Sequence, residues 1–153
     1  DKAECSKFSF TYQKQAAFPP PKRKDKIFDS EAMVVLNDKI VLFSKHKTSN
    51  VETVYLVDIK SKANILMPWF QFKLREKITS ATVITGNKIA LLSYGKIIVC
   101  SLPDQNESHP QIKINYCKRI PFARQCEAIA YSNNLLYVTN EQGQLFLYEI
   151  ISK

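Results

Sequence analysis

The chain has 153 residues, a mass of 17.6 kDa and a formal net charge of +8, from 22 Lys and Arg against 14 Asp and Glu. Hydrophobic residues make up 45%, enough for a packed core, so disorder is excluded for most of the chain, and the length suits a single domain over 1–153. Three glycines exclude collagen-like and Gly/Ser-linker architectures and the glycine-rich nucleotide loops, and no apolar run approaches the ~20 residues of a transmembrane helix.

The chain opens Asp1-Lys2-Ala3-Glu4 without an initiator Met, which fits a mature form after signal-peptide removal or a trimmed chain. The expected location is secreted or periplasmic. Residues 7–14 hold Phe8-Ser9-Phe10-Thr11-Tyr12-Gln13, an aromatic/polar alternation that reads as a half-buried strand. Residues 18–28 follow, a stiff Pro19-Pro20-Pro21 segment with the basic cluster Lys22, Arg23, Lys24 and Lys26. This stretch reads as a solvated connector, with polyanion binding or an SH3-type ligand as its functional alternatives. No nucleic-acid motif occurs, so nucleic acid is not the expected partner.

A threefold repeat then organises the chain. Ser30-Glu31-Ala32-Met33-Val34-Val35 aligns with Thr79-Ser80-Ala81-Thr82-Val83-Ile84 and with Cys126-Glu127-Ala128-Ile129-Ala130-Tyr131, with the alanines 49 and 47 residues apart. Each run leads to a polar turn at 37–39, 86–88 or 132–134. A second β-rich run starts eight residues after each alanine, at Ile40, Ile89 and Leu136. Third runs follow at 54–59, 97–102 and 145–150, and the first two units add a fourth at Ile65 to Leu74 and Gln111 to Cys117. Short β-branched and aromatic runs between Asn/Asp/Gly turns read as antiparallel strands, and this period is that of a β-propeller blade.

The expected fold is therefore all-β: three four-stranded units over 29–77, 78–124 and 125–153. The third unit lacks a fourth run, so the strand in 7–14 is expected to close it and remove an exposed edge. Three units are too few for a ring. The alternatives are a homodimer making a six-bladed ring, a piece of a longer propeller, or sheets packed as a sandwich or open barrel.

The four cysteines, Cys5, Cys100, Cys117 and Cys126, form no CxxC pair. One expectation is a Cys100–Cys117 bridge between neighbouring strands, with Cys5 and Cys126 left to pin the closing strand; the alternative is four free thiols packing as small hydrophobes. His46 and His109 lie far apart, which gives a zinc site little support. Asn106-Glu107-Ser108 is a glycosylation triplet.

Functional candidates gather at the starts of the first strands. Glu31 and Glu127 occupy equivalent places there, Ser80 is the residue at that place in the second unit, and Asn140-Glu141 corresponds to the Lys45-His46-Lys47 turn of the first unit. Glu31, Lys45, Glu127, Asn140 and Glu141 thus form a candidate ligand-binding mouth. Its carboxylates either hold Ca²⁺ through oxygen ligands, form an ion pair with Lys45, or bond neighbouring strand amides.

Gln125-Cys126-Glu127-Ala128-Ile129-Ala130-Tyr131, with Leu135-Leu136-Tyr137-Val138-Thr139-Asn140-Glu141, resembles a blade of the β-propeller phytases and the phytase-like, esterase-like propeller proteins. Asp29-Ser30-Glu31-Ala32-Met33 with Asn37-Asp38-Lys39-Ile40-Val41-Leu42-Phe43 is similar to a blade start of secreted bacterial propellers. The resemblance implies Glu127 and Glu141 as calcium-site candidates. Where that family carries an acidic pair, this chain has Asn140-Glu141. The leading expectation is a non-catalytic binding module for a protein or anionic ligand. A calcium-dependent phosphoester hydrolase completed by dimerisation and a polyanion binder are the alternatives. No G-x-S-x-G or P-loop is present.

Overall fold

The computed structural model describes residues 3–15, 17, 28–45, 50–61, 65–121 and 123–150. Among them there is no helix. Thirteen strands run in chain order: β1 (Thr11–Tyr12), β2 (Ser30–Leu36), β3 (Lys39–Ser44), β4 (Val51–Val57), β5 (Ile65–Leu66), β6 (Pro68–Lys73), β7 (Ile78–Thr85), β8 (Lys88–Ser93), β9 (Lys96–Ser101), β10 (Lys113–Arg119), β11 (Cys126–Ser132), β12 (Leu135–Asn140) and β13 (Leu145–Glu149). They form antiparallel sheets in the orders β2-β3-β4-β6, β7-β8-β9-β10 and β11-β12-β13, plus a small parallel pair β1-β5. Among the described residues no sheet closes on itself.

Tight turns set the register of each first hairpin. Asn37 and Asp38, and Asn133 and Asn134, have positive φ at both positions, as a two-residue turn matched to strand twist requires. The β7–β8 turn instead places only Gly86 at positive φ, and Asn87 Nδ2 donates to the Leu102 carbonyl at 2.7 Å. The sequence run 65–74 is split at Met67: Ile65–Leu66 turns away to pair with β1, and Pro68, which lacks an N–H, begins the edge strand β6.

The sheets stack face to face. Val41, Phe43 and Val54 of the first sheet pack with Ile89, Leu91, Ile98 and Cys100 of the second. Ala90, Leu92, Ile97 and Val99, on the second sheet's other face, pack with Cys126, Ile129, Leu136 and Val138 of the third. Burial on both faces explains why β8 and β9 read as continuous apolar runs, whereas β13 alternates exposed and half-buried. The first strands β2, β7 and β11 are neighbours in that order, β7 lying against both of the others.

Two expectations are overturned. The segment Phe8 to Gln13 does not border β13, whose only strand partner among the described residues is β12. Thr11 and Tyr12 pair instead with Ile65 and Leu66, and Gln13 N–H donates to the Leu66 carbonyl at 3.0 Å. The reason is an apolar face: Tyr12 and Leu66 cover Leu42, Tyr55 and Val57 on the outside of the first sheet. Tyr12 stacks on Phe28 at 5.1 Å and meets Tyr55 at 4.8 Å. Aromatic packing of this area outweighs a single row of edge hydrogen bonds.

No disulfide forms either: Cys5, Cys100, Cys117 and Cys126 are all free. Register places Cys100 opposite Ile114 and Cys117 opposite Ile98, so the two cysteines are not cross-strand partners. Cys100 is buried and Cys117 exposed. Cys126 is buried in the core between the second and third sheets, while Cys5 is exposed. Burial pushes the Cys100 thiol up to about 12, which leaves it a packing group rather than a nucleophile.

Candidate functional site

Each first strand carries an irregularity just after it begins. Pairing skips between Ser30 and Ala32, between Ile78 and Ser80, and between Cys126 and Ala128. The skipped residues are Glu31, Thr79 and Glu127, so register puts Thr79, not Ser80, at the place of the two glutamates. A second irregularity in β7, between Val83 and Thr85, absorbs the offset. A bulge bends the strand and re-aims the side chain of the extra residue, and no sequence alignment shows that.

At the same end the second strands finish on Ser44, Ser93 and Asn140, which are buried polar residues. The next residues are Lys45, Tyr94 and Glu141. The end therefore presents two sets of three equivalent residues, Glu31, Thr79, Glu127 and Lys45, Tyr94, Glu141.

In the first unit the two positions neutralise each other. Lys45, 7% exposed, donates to Glu31 Oε2, and its ammonium lies 5.0 Å from the centre of the Tyr94 ring. Burial pulls the ammonium's pKa down, but the Glu31 carboxylate and the Tyr94 hydroxyl outweigh that and hold it above its ordinary value. Tyr94 belongs to the β8–β9 turn, so this contact also ties the first unit to the second. Nearby, Lys96 pairs with Glu76 and holds that carboxyl below its usual range.

In the second unit both positions are neutral; Tyr94 faces Lys45 of the first unit, whereas Thr79 and its neighbour Ser80 bond to the third. Thr79 Oγ1 donates to the Cys126 carbonyl at 2.9 Å, and Ile129 N–H donates to Ser80 Oγ at 3.4 Å.

In the third unit both positions are acidic. Glu127 is half-buried and Glu141 exposed, and neither has an ion-pair partner among the described residues. Glu141 N–H donates to the Gln125 carbonyl at 3.1 Å, the counterpart of Lys45 N–H on the Asp29 carbonyl. Asn140 is taken up structurally: its side chain closes the β12–β13 turn through Gln144, accepting from its N–H at 2.9 Å and donating to its Oε1 at 2.8 Å.

The structure thus brings Glu31 and Lys45 together and puts Glu127 near the start of β11 and Glu141 just past the end of its partner strand β12. No group of three or more His, Cys, Asp or Glu positioned for a metal ion occurs among the described residues. Lys22, Arg23, Lys24 and Lys26 lie outside the described residues, as does His46. His109 is an exposed loop residue bonded to Ser108. No helix of the described residues is long and apolar enough to cross a membrane.

Sequence reasoning missed three residues. Tyr94 was findable from its offset, the same as Lys45 and Glu141. Thr79 was hidden by the bulge. Glu52, 1% exposed with an unpartnered Oε2, interrupts an apolar strand, and burial raises its carboxyl to about 8. At the opposite end, a cleft of about 250 Å³ lies between the first two sheets, lined by Asn37, Trp69, Asn87 and Asp104.

No protein-family model matches the chain, and no curated protein matches it significantly. Solved structures that resemble it include the crystal structure of the computationally designed Ika4 protein, at 12% identity and a TM-score of 0.41, over 80% of this chain and 92% of that one.

Proposed function

We propose that the protein is a non-catalytic interaction module built from propeller-type blades, and that the third unit's end of the mouth binds a cationic group of its ligand. One observation carries this reading. Where the first unit sets a lysine against a glutamate, the third sets two glutamates, Glu127 and Glu141, with no ion-pair partner among the described residues. Two acidic residues at these equivalent places give that end a negative charge, with which an incoming ammonium or guanidinium would pair. Glu31 is already engaged by Lys45, so it helps to orient the first strand rather than to bind ligand.

The blade reading draws on the repeat, the equivalent register of the three first hairpins and the order β2, β7, β11 of the first strands. The phytase-like hydrolase reading needs further acidic ligands beside Glu127 and Glu141, and no group of three or more His, Cys, Asp or Glu positioned for a metal ion occurs among the described residues.

Calorimetry with an oligolysine peptide tests the proposal. Wild-type protein is expected to give a saturable signal that weakens with salt and disappears in the Glu127→Gln/Glu141→Gln variant. Binding unchanged in that variant, or no binding at low salt, would reject it. Titration with Ca²⁺ alone is the parallel arm: a stronger response to Ca²⁺ than to peptide would favour the hydrolase reading.

A further inference from the structure

The cleft between the first two sheets, at the end away from the mouth, is apolar in its depth and polar at its rim. Val41 and Leu102 line it from the core and are buried. Trp69, on β6, lines one side. Its indole is half-buried and packs edge-on against Phe70 at 4.8 Å, and its Nε1 is sealed from solvent with no hydrogen-bond partner among the described residues. With the N–H sealed, what the side chain offers a ligand is ring carbon. The rim carries little charge. Asn37, Asn87 and Gln105 supply carboxamides and Asp104 a single carboxylate, and no Lys or Arg is among the described lining residues, in a chain of net charge +8.

The walls are preformed. Asn37 and Gly86 hold left-handed conformations, at φ 49° and 51°, in the two turns that face the cleft. Leu102 N–H donates to the Asn87 carbonyl at 2.9 Å, and Asn87 Nδ2 donates back to the Leu102 carbonyl at 2.7 Å, so the β7–β8 turn is clamped to the segment after β9. Asp104 Oδ1 accepts from Asn106 N–H at 3.1 Å, and the Asp104 carbonyl accepts from Glu107 N–H at 3.1 Å. These bonds hold Asn87 and Asp104 in place while leaving Asn87 Oδ1 and Asp104 Oδ2 as acceptors.

That lining selects a chemical class. An anion finds no cation here. A cation finds one carboxylate, already shared with its own loop, and no use for the amide N–H groups. A ring with an apolar face and hydroxyls at its edge uses the whole lining. Its C–H hydrogens meet the negative face of the indole, its hydroxyls donate to Asn87 Oδ1 and Asp104, and they accept from the Asn37 and Gln105 amides. The volume of about 250 Å³ falls just below the ~300–1,000 Å³ of drug-sized pockets, which suits one such ring. We infer that this cleft binds one pyranose ring of a neutral saccharide.

Trp69 is the only tryptophan in the chain, so its emission reports on the cleft alone. Titration with the methyl glycosides of glucose, galactose, mannose and N-acetylglucosamine through the millimolar range is expected to give a saturable change with at least one of them, insensitive to salt. Gln105→Ala and Asp104→Asn, at the rim, are each expected to weaken that response about three- to tenfold with unchanged thermal unfolding. No change with any of the four glycosides, a response that both variants leave intact, or a larger change with tetramethylammonium or inorganic phosphate than with any glycoside would each overturn the inference. The cleft lies at the opposite end of the stack from Glu127 and Glu141, so this experiment and the oligolysine titration fail independently.

Discussion

The first and third sheets end the stack in opposite ways. The outside of the first is apolar and covered: Leu42, Tyr55 and Val57 are buried under Tyr12, Leu66 and Phe28. The outside of the third is apolar and bare, at Leu145 and Leu147. One repeat pattern underlies both, so the difference lies in what the chain supplies locally. The leading segment brings aromatic residues to one end, and no described segment does so for the other. A repeat specifies faces, but flanking sequence decides which of them are capped.

Phe43→Ala, at 0% exposure between the first two sheets, should cost about 4 kcal/mol in denaturant unfolding, against under about 0.5 kcal/mol for Leu147→Ala on the bare face. Similar costs would mean that the bare face is covered in solution.

Glu52 comes next. Its carboxyl titrates near 8 in the folded chain and near its ordinary 4.5 when unfolded. The folded state therefore holds the proton more tightly. Its stabilising contribution is complete below about pH 4.5 and is lost as pH rises to about 8. Glu52→Gln should remove this slope and raise stability at pH 7 by roughly 3 kcal/mol at most. A wild-type slope that persists in the variant would assign the effect to another group.

Tyr12→Ala should strip the cap from the first sheet, costing about 2–3 kcal/mol and raising binding of an apolar dye, so that the two ends behave alike. A smaller effect falls at the mouth. Lys45→Met should cost about 1–2 kcal/mol, because Glu31 is partly exposed and can be rehydrated by water. Equal losses from Lys45→Met and from a Glu31→Gln/Lys45→Met double variant would show that the two residues act as one unit.

Much of the architecture was legible. The apolar periodicity located all three first hairpins, and the runs at 40–43, 89–92 and 136–139 are the second strands of the three sheets. The turn residues Asn37-Asp38 and Asn133-Asn134 announced their positive φ, because Asn and Asp tolerate that conformation. The Lys45–Glu31 pair was visible as one of several readings. Thr79 was not, since a bulge shifts register without changing composition. The place of Phe8 to Gln13 was not legible either: an alternating aromatic strand suits any apolar face or any free edge, and only the packing of Tyr12 on Tyr55 and Phe28 decides between them.

The sequence by itself determined the strands, their turns, the threefold repeat and the acidic pair of the third unit, because these follow from local periodicity and backbone preference. Tertiary structure decided which face of the first sheet the N-terminal segment covers, which cysteines stay apart, and which glutamate meets a lysine. Those outcomes depend on contacts between residues far apart in the chain, where the area removed from water and the register of a bulge choose among partners that the local sequence leaves equivalent.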